Sequence, residues 1–372
     1  MSTGRKFKVI IIANTAWNLI NFRAELIRYF LSIGADVVAA APPDDYVDDL
    51  EALGCRFVDL PIEGNSKNLA KDFILILKIY NFLKKENPRF ILTFTPKPNL
   101  YVSLLATFLK AKIIVNIAGL GMLFSGESYV RRLVESLFRY SLINVHHVFF
   151  QNLQDMQLFK DRGIFTGTHF SVLPGSGIDT RKIRAAPLLR RKDTQFLLVA
   201  RLLAPKGVEE FVQATRIVLS IRSDVQSRIY GFVAQDSPNA IAREQLDKWD
   251  QEGVVRYLGA GRSALAHMEA SDCVVLPSYY NEGTPRVLLE AGALARPVIT
   301  TDWPGCRDTV IDGKTGFLCT ARDADSLAEC MLRFVSLDQN KRRSMSAAAR
   351  EYISSNFDVG TVVAEYRRVI GE

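Results

Sequence analysis

The five cysteines, Cys55, Cys273, Cys306, Cys319 and Cys330, stand far apart, and no two have CxxC spacing. A disulfide framework and a thiolate zinc site are thereby excluded. Histidine is scarce, at 146, 147, 169 and 267, and none sits in an HExxH-type pattern that would hold a metal. No window approaches 18 uninterrupted apolar residues, so no transmembrane helix is expected. The start, MSTGRKFKVIIIAN, has too short an apolar run for a signal peptide and reads as a strand, which places the expected location in the cytoplasm. No GxGxxG follows that strand, so the nicotinamide-dinucleotide fingerprint is missing. The PGSG at 174–177 lacks the spacing and the Lys-Ser/Thr of a phosphate loop. Asp323-Ala324-Asp325 looks like a metal-binding DxD. It precedes the helical run SLAECMLRFV, however, where Asp323 serves as a helix cap.

What is present is a globular composition, 48% hydrophobic and 23% charged, over 372 residues. That length is too great for one ordinary core and suggests two domains. Strand and helix alternate nearly throughout. FKVIIIAN, ADVVAAAP, CRFVDLP, RFILTFT, KIIVNIAG and HVFFQN are apolar strands, with helices between them at about 21–33, 44–53 and 69–85. The rhythm restarts at TQFLLVAR and runs through QSRIYGFV, VVRYLG, DCVVLPS, PVITT and GFLC. Apolar, β-branched strands separated by helices imply parallel sheets covered on both faces. The expectation is an α/β protein of two Rossmann-like, doubly wound domains facing across a cleft. The first spans 1–175 plus 355–372 and the second 190–352, with a linker at roughly 175–193. Ligands of such sheets sit at the C-terminal ends of the strands.

Two segments of the second half carry the chemistry. In VARLLAPKGVEEF (199–211), a strand ends at Arg201, and a loop leads through Lys206 and Gly207 into a helix. Two cations beside a helix N-terminus form a pocket suited to a diphosphate. In LPSYYNEGTPRVLLEAGALARPVIT (276–300), a strand is followed by the loop Asn281-Glu282-Gly283-Thr284-Pro285 and a helix starting near Arg286. Glu290 falls within an apolar stretch of that helix. A buried carboxylate is costly unless it is paired, and ligand hydroxyls are natural partners for it.

VAR-x4-KG followed by EG-x-P-x-x-LLEA, with Glu282 and Glu290 in an E-x7-E arrangement, resembles the retaining glycosyltransferases of family four, whose fold is GT-B. The segments NTAWNLINFR, TFTPKPN, NIAGLG, FFQN, LPGSGID and TTDWPGC resemble a narrower group, bacterial enzymes that extend glycans on undecaprenyl diphosphate. The resemblance implies catalytic roles for Arg201, Lys206 and Glu282. The two cations would bind the donor diphosphate, and Glu282 the hydroxyls of the donor sugar. Glu290 would take the ribose, Gly283, Thr284 and Arg286 would touch sugar or phosphate, and the uracil would lie near Arg256, Tyr257 and Leu258, read by backbone groups. In the first domain, Asn14, Asn18, Thr95, Lys97, Asn116, Gly119 and Gly121 are the candidates for acceptor contacts. Many relatives carry a histidine before Gly119, where this chain has Asn116-Ile117-Ala118.

The implied activity is transfer of a hexose or N-acetylhexosamine, of the N-acetylgalactosamine type, from a UDP-sugar to a lipid-diphosphate-linked saccharide with an α linkage. It implies no metal and no cofactor. A UDP-sugar epimerase of related fold and a non-catalytic nucleotide- or nucleic-acid-binding protein are the alternatives. An acidic pair in the site argues against nucleic acid. The first half also bears on location. Residues 1–185 hold 23 Lys and Arg against 16 Asp and Glu, and the second half holds 24 of each. LAKDFILILKIYNFLKK (69–85) and YVRRLVESLFRYSLI (129–143) mix apolar and basic residues. Together these point to an anionic membrane surface at the inner face of the cell membrane.

Overall fold

The structure, a computed structural model, describes residues 7–62, 69–120, 129–164, 169–189, 191–234 and 237–371. The chain forms two compact units, residues 1–176 with 359–372, and residues 177–358.

The first unit is a seven-stranded sheet of order β3-β2-β1-β4-β5-β6-β7. The strands are β1 (Lys8–Ile12), β2 (Asp36–Ala41), β3 (Arg56–Asp59), β4 (Phe90–Phe94), β5 (Lys112–Ile117), β6 (His147–Phe150) and β7 (Phe170–Val172), all parallel. Side chains alternate across a strand, and here both faces are apolar. Ile10 and Ile12 of β1 enter one core with Val115 and Val148, while Val9 and Ile11 enter another with Leu92 and Phe149. Helices α1 (Ala16–Ser32), α2 (Val47–Glu51), α3 (Leu69–Glu86), α4 (Pro96–Leu104), α5 (Tyr129–Ser141) and α6 (Leu153–Asp161) connect the strands.

Helix α1 begins earlier than the sequence pattern suggested, because Thr15 caps it and accepts the Asn18 N–H at 3.0 Å. Asn18 therefore lies in the first turn of a helix rather than in a loop. Helix α2 is shorter than the run DDYVDDLEAL led one to expect.

The second unit is a six-stranded parallel sheet of order β10-β9-β8-β11-β12-β13. Its strands are β8 (Thr194–Val199), β9 (Val225–Tyr230), β10 (Arg256–Tyr257), β11 (Cys273–Leu276), β12 (Val298–Thr301) and β13 (Gly316–Cys319). Its helices are α7 (Val208–Ile221), α8 (Arg243–Gln251), α9 (Ala264–Glu269), α10 (Arg286–Ala293), α11 (Ala324–Val335) and α12 (Gln339–Asn356). Phe196 and Leu198 point into one core and Leu197 into the other, as in the first unit.

The segment expected to be a linker is stitched to this second unit. The guanidinium of fully buried Arg296 donates to the carbonyls of Ala186 at 2.7 Å, Pro187 at 3.1 Å and Glu269 at 2.7 Å. Arg350 donates to those of Thr180 and Ile183. The chain then returns to the first unit through α13 (Val359–Ile370), whose Val362, Tyr366 and Ile370 fill the core beside Phe149.

Candidate functional site

Strands β8 and β11 are neighbours, so the two segments singled out from sequence leave the sheet side by side. They touch closely. Gly207 has φ +76°, and a Cβ there would lie 2.2 Å from the Pro277 carbonyl oxygen, so only glycine lets the loops meet. The Tyr279 N–H donates to the Pro205 carbonyl at 2.9 Å and ties them further.

Lys206 is buried, and its ammonium donates to Glu282 Oε1 at 2.5 Å. Ser278 donates its hydroxyl to the same oxygen at 3.0 Å. Arg201 is exposed, and both cations approach the Tyr280 ring, Arg201 at 5.9 Å and Lys206 at 5.3 Å from its centre. The two expected diphosphate ligands and the expected sugar ligand thus form one cluster. Ser278 and Tyr280 belong to it too, although sequence reasoning passed over them. Their signal was position, between a strand end and Glu282.

A third segment, following β12, supports the loop from below. Gly305, at φ +80°, would place a Cβ 1.6 Å from the Gly283 carbonyl oxygen. Trp303 Nε1 donates to Asn281 Oδ1 at 3.2 Å, and the Thr301 hydroxyl donates to the Ser278 carbonyl. Burial, aided by the nearby charge of Glu282, pushes the Cys306 thiol up to about 12, which leaves it inert.

Two of the expected ligand groups already have partners within the protein. Glu290 does not wait for a ligand to pair it. It lies one turn from Arg286 on α10, and Arg286 Nε donates to its Oε1 at 2.8 Å. Arg286 also reaches the Gly177 carbonyl at 3.4 Å. Nor are the N–H groups of Tyr257 and Leu258 available to read a base. The first donates to Asp250 Oδ2 at 3.0 Å and the second to the Ile229 carbonyl at 2.8 Å. The Tyr257 hydroxyl donates to the Gly231 carbonyl at 2.8 Å. Thr284 is buried, as is Gly283. Asp323 accepts the Ser326 N–H at 2.9 Å as the cap of α11.

In the first unit, Asn14, Thr95 and Gly119 follow the C-terminal ends of the adjacent strands β1, β4 and β5. Thr95 has φ +73°, a strained value for a β-branched residue and the kind of outlier that gathers at functional sites. Gly119 has φ +108°. Asn18 is half-buried in the first turn of α1, and Gly121 lies outside the described residues.

Asn116 is corrected to a structural role. Asn116 is fully buried; its Nδ2 donates to the Tyr366 hydroxyl at 3.1 Å, and its Oδ1 accepts from Gln151 at 3.3 Å. It holds α13 in place. Lys97 donates to Asp72 of α3 at 2.9 Å and ties α4 to α3. Trp17, which was not singled out, stands 38% exposed at the start of α1, with its ring edge-on to Phe22 at 5.3 Å.

Two family models match the chain. One, Glycosyl transferase 4-like, covers residues 8–152. The other, Glycosyl transferases group 1, covers residues 179–352. The chain is a glycosyltransferase of the GT-B fold. Over 98% of its length this glycosyltransferase is 24% identical to the N,N'-diacetylbacillosaminyl-diphospho-undecaprenol alpha-1,3-N-acetylgalactosaminyltransferase of Campylobacter jejuni, 99% of which is covered. Among solved structures it resembles Anabaena HepE in complex with UDP and glucose, with a TM-score of 0.79 at 17% identity over 98% of this chain and 100% of that one. It also resembles sucrose-phosphate synthase from Thermosynechococcus elongatus, with a TM-score of 0.80 at 19% identity over 99% and 100%.

Proposed function

We propose that this glycosyltransferase moves a hexose or N-acetylhexosamine, of the N-acetylgalactosamine type, from a UDP-sugar to a saccharide carried on a lipid diphosphate, with an α linkage and retention. The observation that carries the proposal is the cluster of Arg201, Lys206 and Glu282 at the C-terminal edge of the second sheet, beside the start of α7. Two cations and a helix N-terminus suit a diphosphate, and a carboxylate held by Lys206 and Ser278 suits sugar hydroxyls.

In the reaction, the bond from the sugar C1 to the β-phosphate oxygen breaks, and a bond from C1 to an acceptor hydroxyl oxygen forms. The hydroxyl proton passes to the departing UDP. Negative charge grows on the diphosphate as the bond breaks, and cations already in place stabilise it without reorganisation. Arg201 and Lys206 supply the charge that a divalent metal would otherwise bring, so no metal is required. Glu282 orients the sugar, and the remaining oxygen of Glu290 takes the ribose. Asn14, Thr95 and Gly119 offer the acceptor its contacts. The acceptor in the Campylobacter relative's name is an undecaprenyl diphosphate, which supports a lipid-linked acceptor here.

A membrane location is supported by the surface of the first unit. Phe73 (63% exposed), Ile74 and Leu77 stand out from α3, Phe108 (70%) from the turn after α4, and Leu133 (61%), Tyr140 (71%) and Ile143 from α5 and the turn that follows. Helix α4 packs against both α3 and α5. Exposed Lys71, Lys78, Lys84, Lys85, Arg132 and Arg139 share these helices. Apolar side chains flanked by cations suit the inner leaflet of an anionic membrane.

The test is turnover with a panel of UDP-glucose, UDP-galactose and their N-acetylated forms, with a prenyl-diphosphate saccharide as acceptor. Lys206→Ala is expected to lower kcat by a factor of roughly a hundred or more, the scale of losing one preplaced charge at a developing anion. Full turnover by Lys206→Ala, or none by wild type with any of the four donors, would overturn the proposal.

A further inference from the structure

Two adjacent tyrosines in the loop after β11 meet different cations. The Tyr279 ring lies 4.7 Å from the Arg322 guanidinium. The Tyr280 ring lies within 6 Å of both Arg201 and Lys206, the two groups assigned above to the donor diphosphate. The Tyr280 backbone is fixed on both sides. Its N–H donates to Ser278 Oγ at 3.3 Å, and its carbonyl accepts the Glu282 N–H at 2.7 Å. The backbone that carries the ring is thus tied to Ser278, which also holds Glu282.

We propose that Tyr280 is a positioning residue of the donor site, its π face holding Arg201 and Lys206 in place for a nucleoside diphosphate. An aromatic ring carries negative charge on its faces and attracts a cation placed over them. Lys206 is already held by Glu282, and the ring limits its remaining freedom. Arg201 is exposed, and a long side chain that must be ordered on binding costs affinity. A ring that restrains it beforehand lowers that cost. The effect belongs to the ring face rather than to the hydroxyl or to bulk. Phenylalanine should therefore substitute for Tyr280, and leucine, of comparable bulk but without a π face, should not. The inference rests on the donor-site reading given under Proposed function.

The experiment is calorimetric titration with UDP of wild type, Tyr280→Phe, Tyr280→Leu, Tyr280→Gln and Lys206→Ala, with melting curves for each. Two lost cation–π contacts should weaken UDP binding by Tyr280→Leu roughly five- to thirty-fold. Tyr280→Phe should restore it. Tyr280→Gln gives the same answer at this half-exposed position if the leucine variant fails to fold. Wild-type affinity in the Leu or Gln variant, with Lys206→Ala weakened, would overturn the role of Tyr280 and leave the donor site standing. Equal weakening by Phe and Leu would assign the effect to the hydroxyl and also overturn it. If Lys206→Ala binds as wild type does, the donor-site reading itself has failed and takes this inference with it.

Discussion

A side chain at Gly305 would run into the Gly283 carbonyl oxygen at 1.6 Å, from a backbone already at φ +80°. Gly305→Ala is predicted to displace the loop that carries Glu282. A forced backbone shift combined with left-handed strain costs a few kcal/mol, which should lower Tm by on the order of 5 °C. Differential scanning fluorimetry reads this directly, and an unchanged Tm would show that the loop yields freely. At this scale the sequence was informative about charge and less so about partnership. The clustering of Arg201, Lys206 and Glu282 was legible because their segments follow two strand ends, and those strands are neighbours. The salt-bridged reading of Glu290 was set aside in favour of ligand hydroxyls, although i, i+4 pairs such as Arg286–Glu290 are a local feature of a helix. Asn116 was misassigned for another reason. Its partner Tyr366 is 250 residues away, and no local pattern reports such a contact.

The last helix, α13, shows what such contacts do for an element. Its Tyr366 ring lies 4.6 Å from Phe149, and its hydroxyl accepts from Asn116. Tyr366→Phe leaves the Asn116 amide buried and short of an acceptor. The predicted loss is about 1–3 kcal/mol in denaturant titration, and no loss would mean that water or another group takes over.

The same helix lies over a histidine pair. His146 Nε2 donates to the Val369 carbonyl at 3.2 Å, and buried His147 shares a hydrogen bond with Ser171 at 2.9 Å. Burial, reinforced by the Arg368 guanidinium and by His146 and His169, lowers the His147 pKa from 6.5 to about 4, with Glu365 opposing. Between these values the unfolded chain binds a proton that the folded one refuses. Stability is therefore full above about pH 6.5 and falls as the pH drops toward 4. His147→Gln is predicted to flatten that part of a Tm-against-pH curve, and a slope identical to wild type would contradict it. Strands and long helices were legible from their periodicity. The early start of α1 was not, because Thr15 as a cap outweighs the mixed pattern of AWNLIN.

For the whole molecule, the alternation of strand and helix announced two parallel sheets, and each strand pattern without polar alternation told of a sheet covered on both faces. The chain segment after residue 176 reads as a linker by composition. Its place in the second unit depends on Arg296 and Arg350, which lie far along the chain and bind its carbonyls. The basic excess of residues 1–185 and the exposed apolar side chains of α3 and α5 belong to the same unit, and the proposed membrane surface rests on that pairing. Cosedimentation with phosphatidylglycerol vesicles should accordingly exceed that with phosphatidylcholine, fall with added salt, and drop in a Phe73→Ser, Leu133→Ser double variant. Equal binding to both lipids, or none, would remove the membrane from the account.

The central claim is that Lys206 and Glu290 hold a uridine diphosphate without a metal. Calorimetric titration with UDP in EDTA, comparing wild type with Lys206→Ala and Glu290→Gln, tests it most directly. The account predicts that wild type binds in EDTA and that each variant binds about tenfold more weakly or worse, the loss of one charge-assisted contact. No binding by wild type, or equal binding by all three proteins, would contradict it.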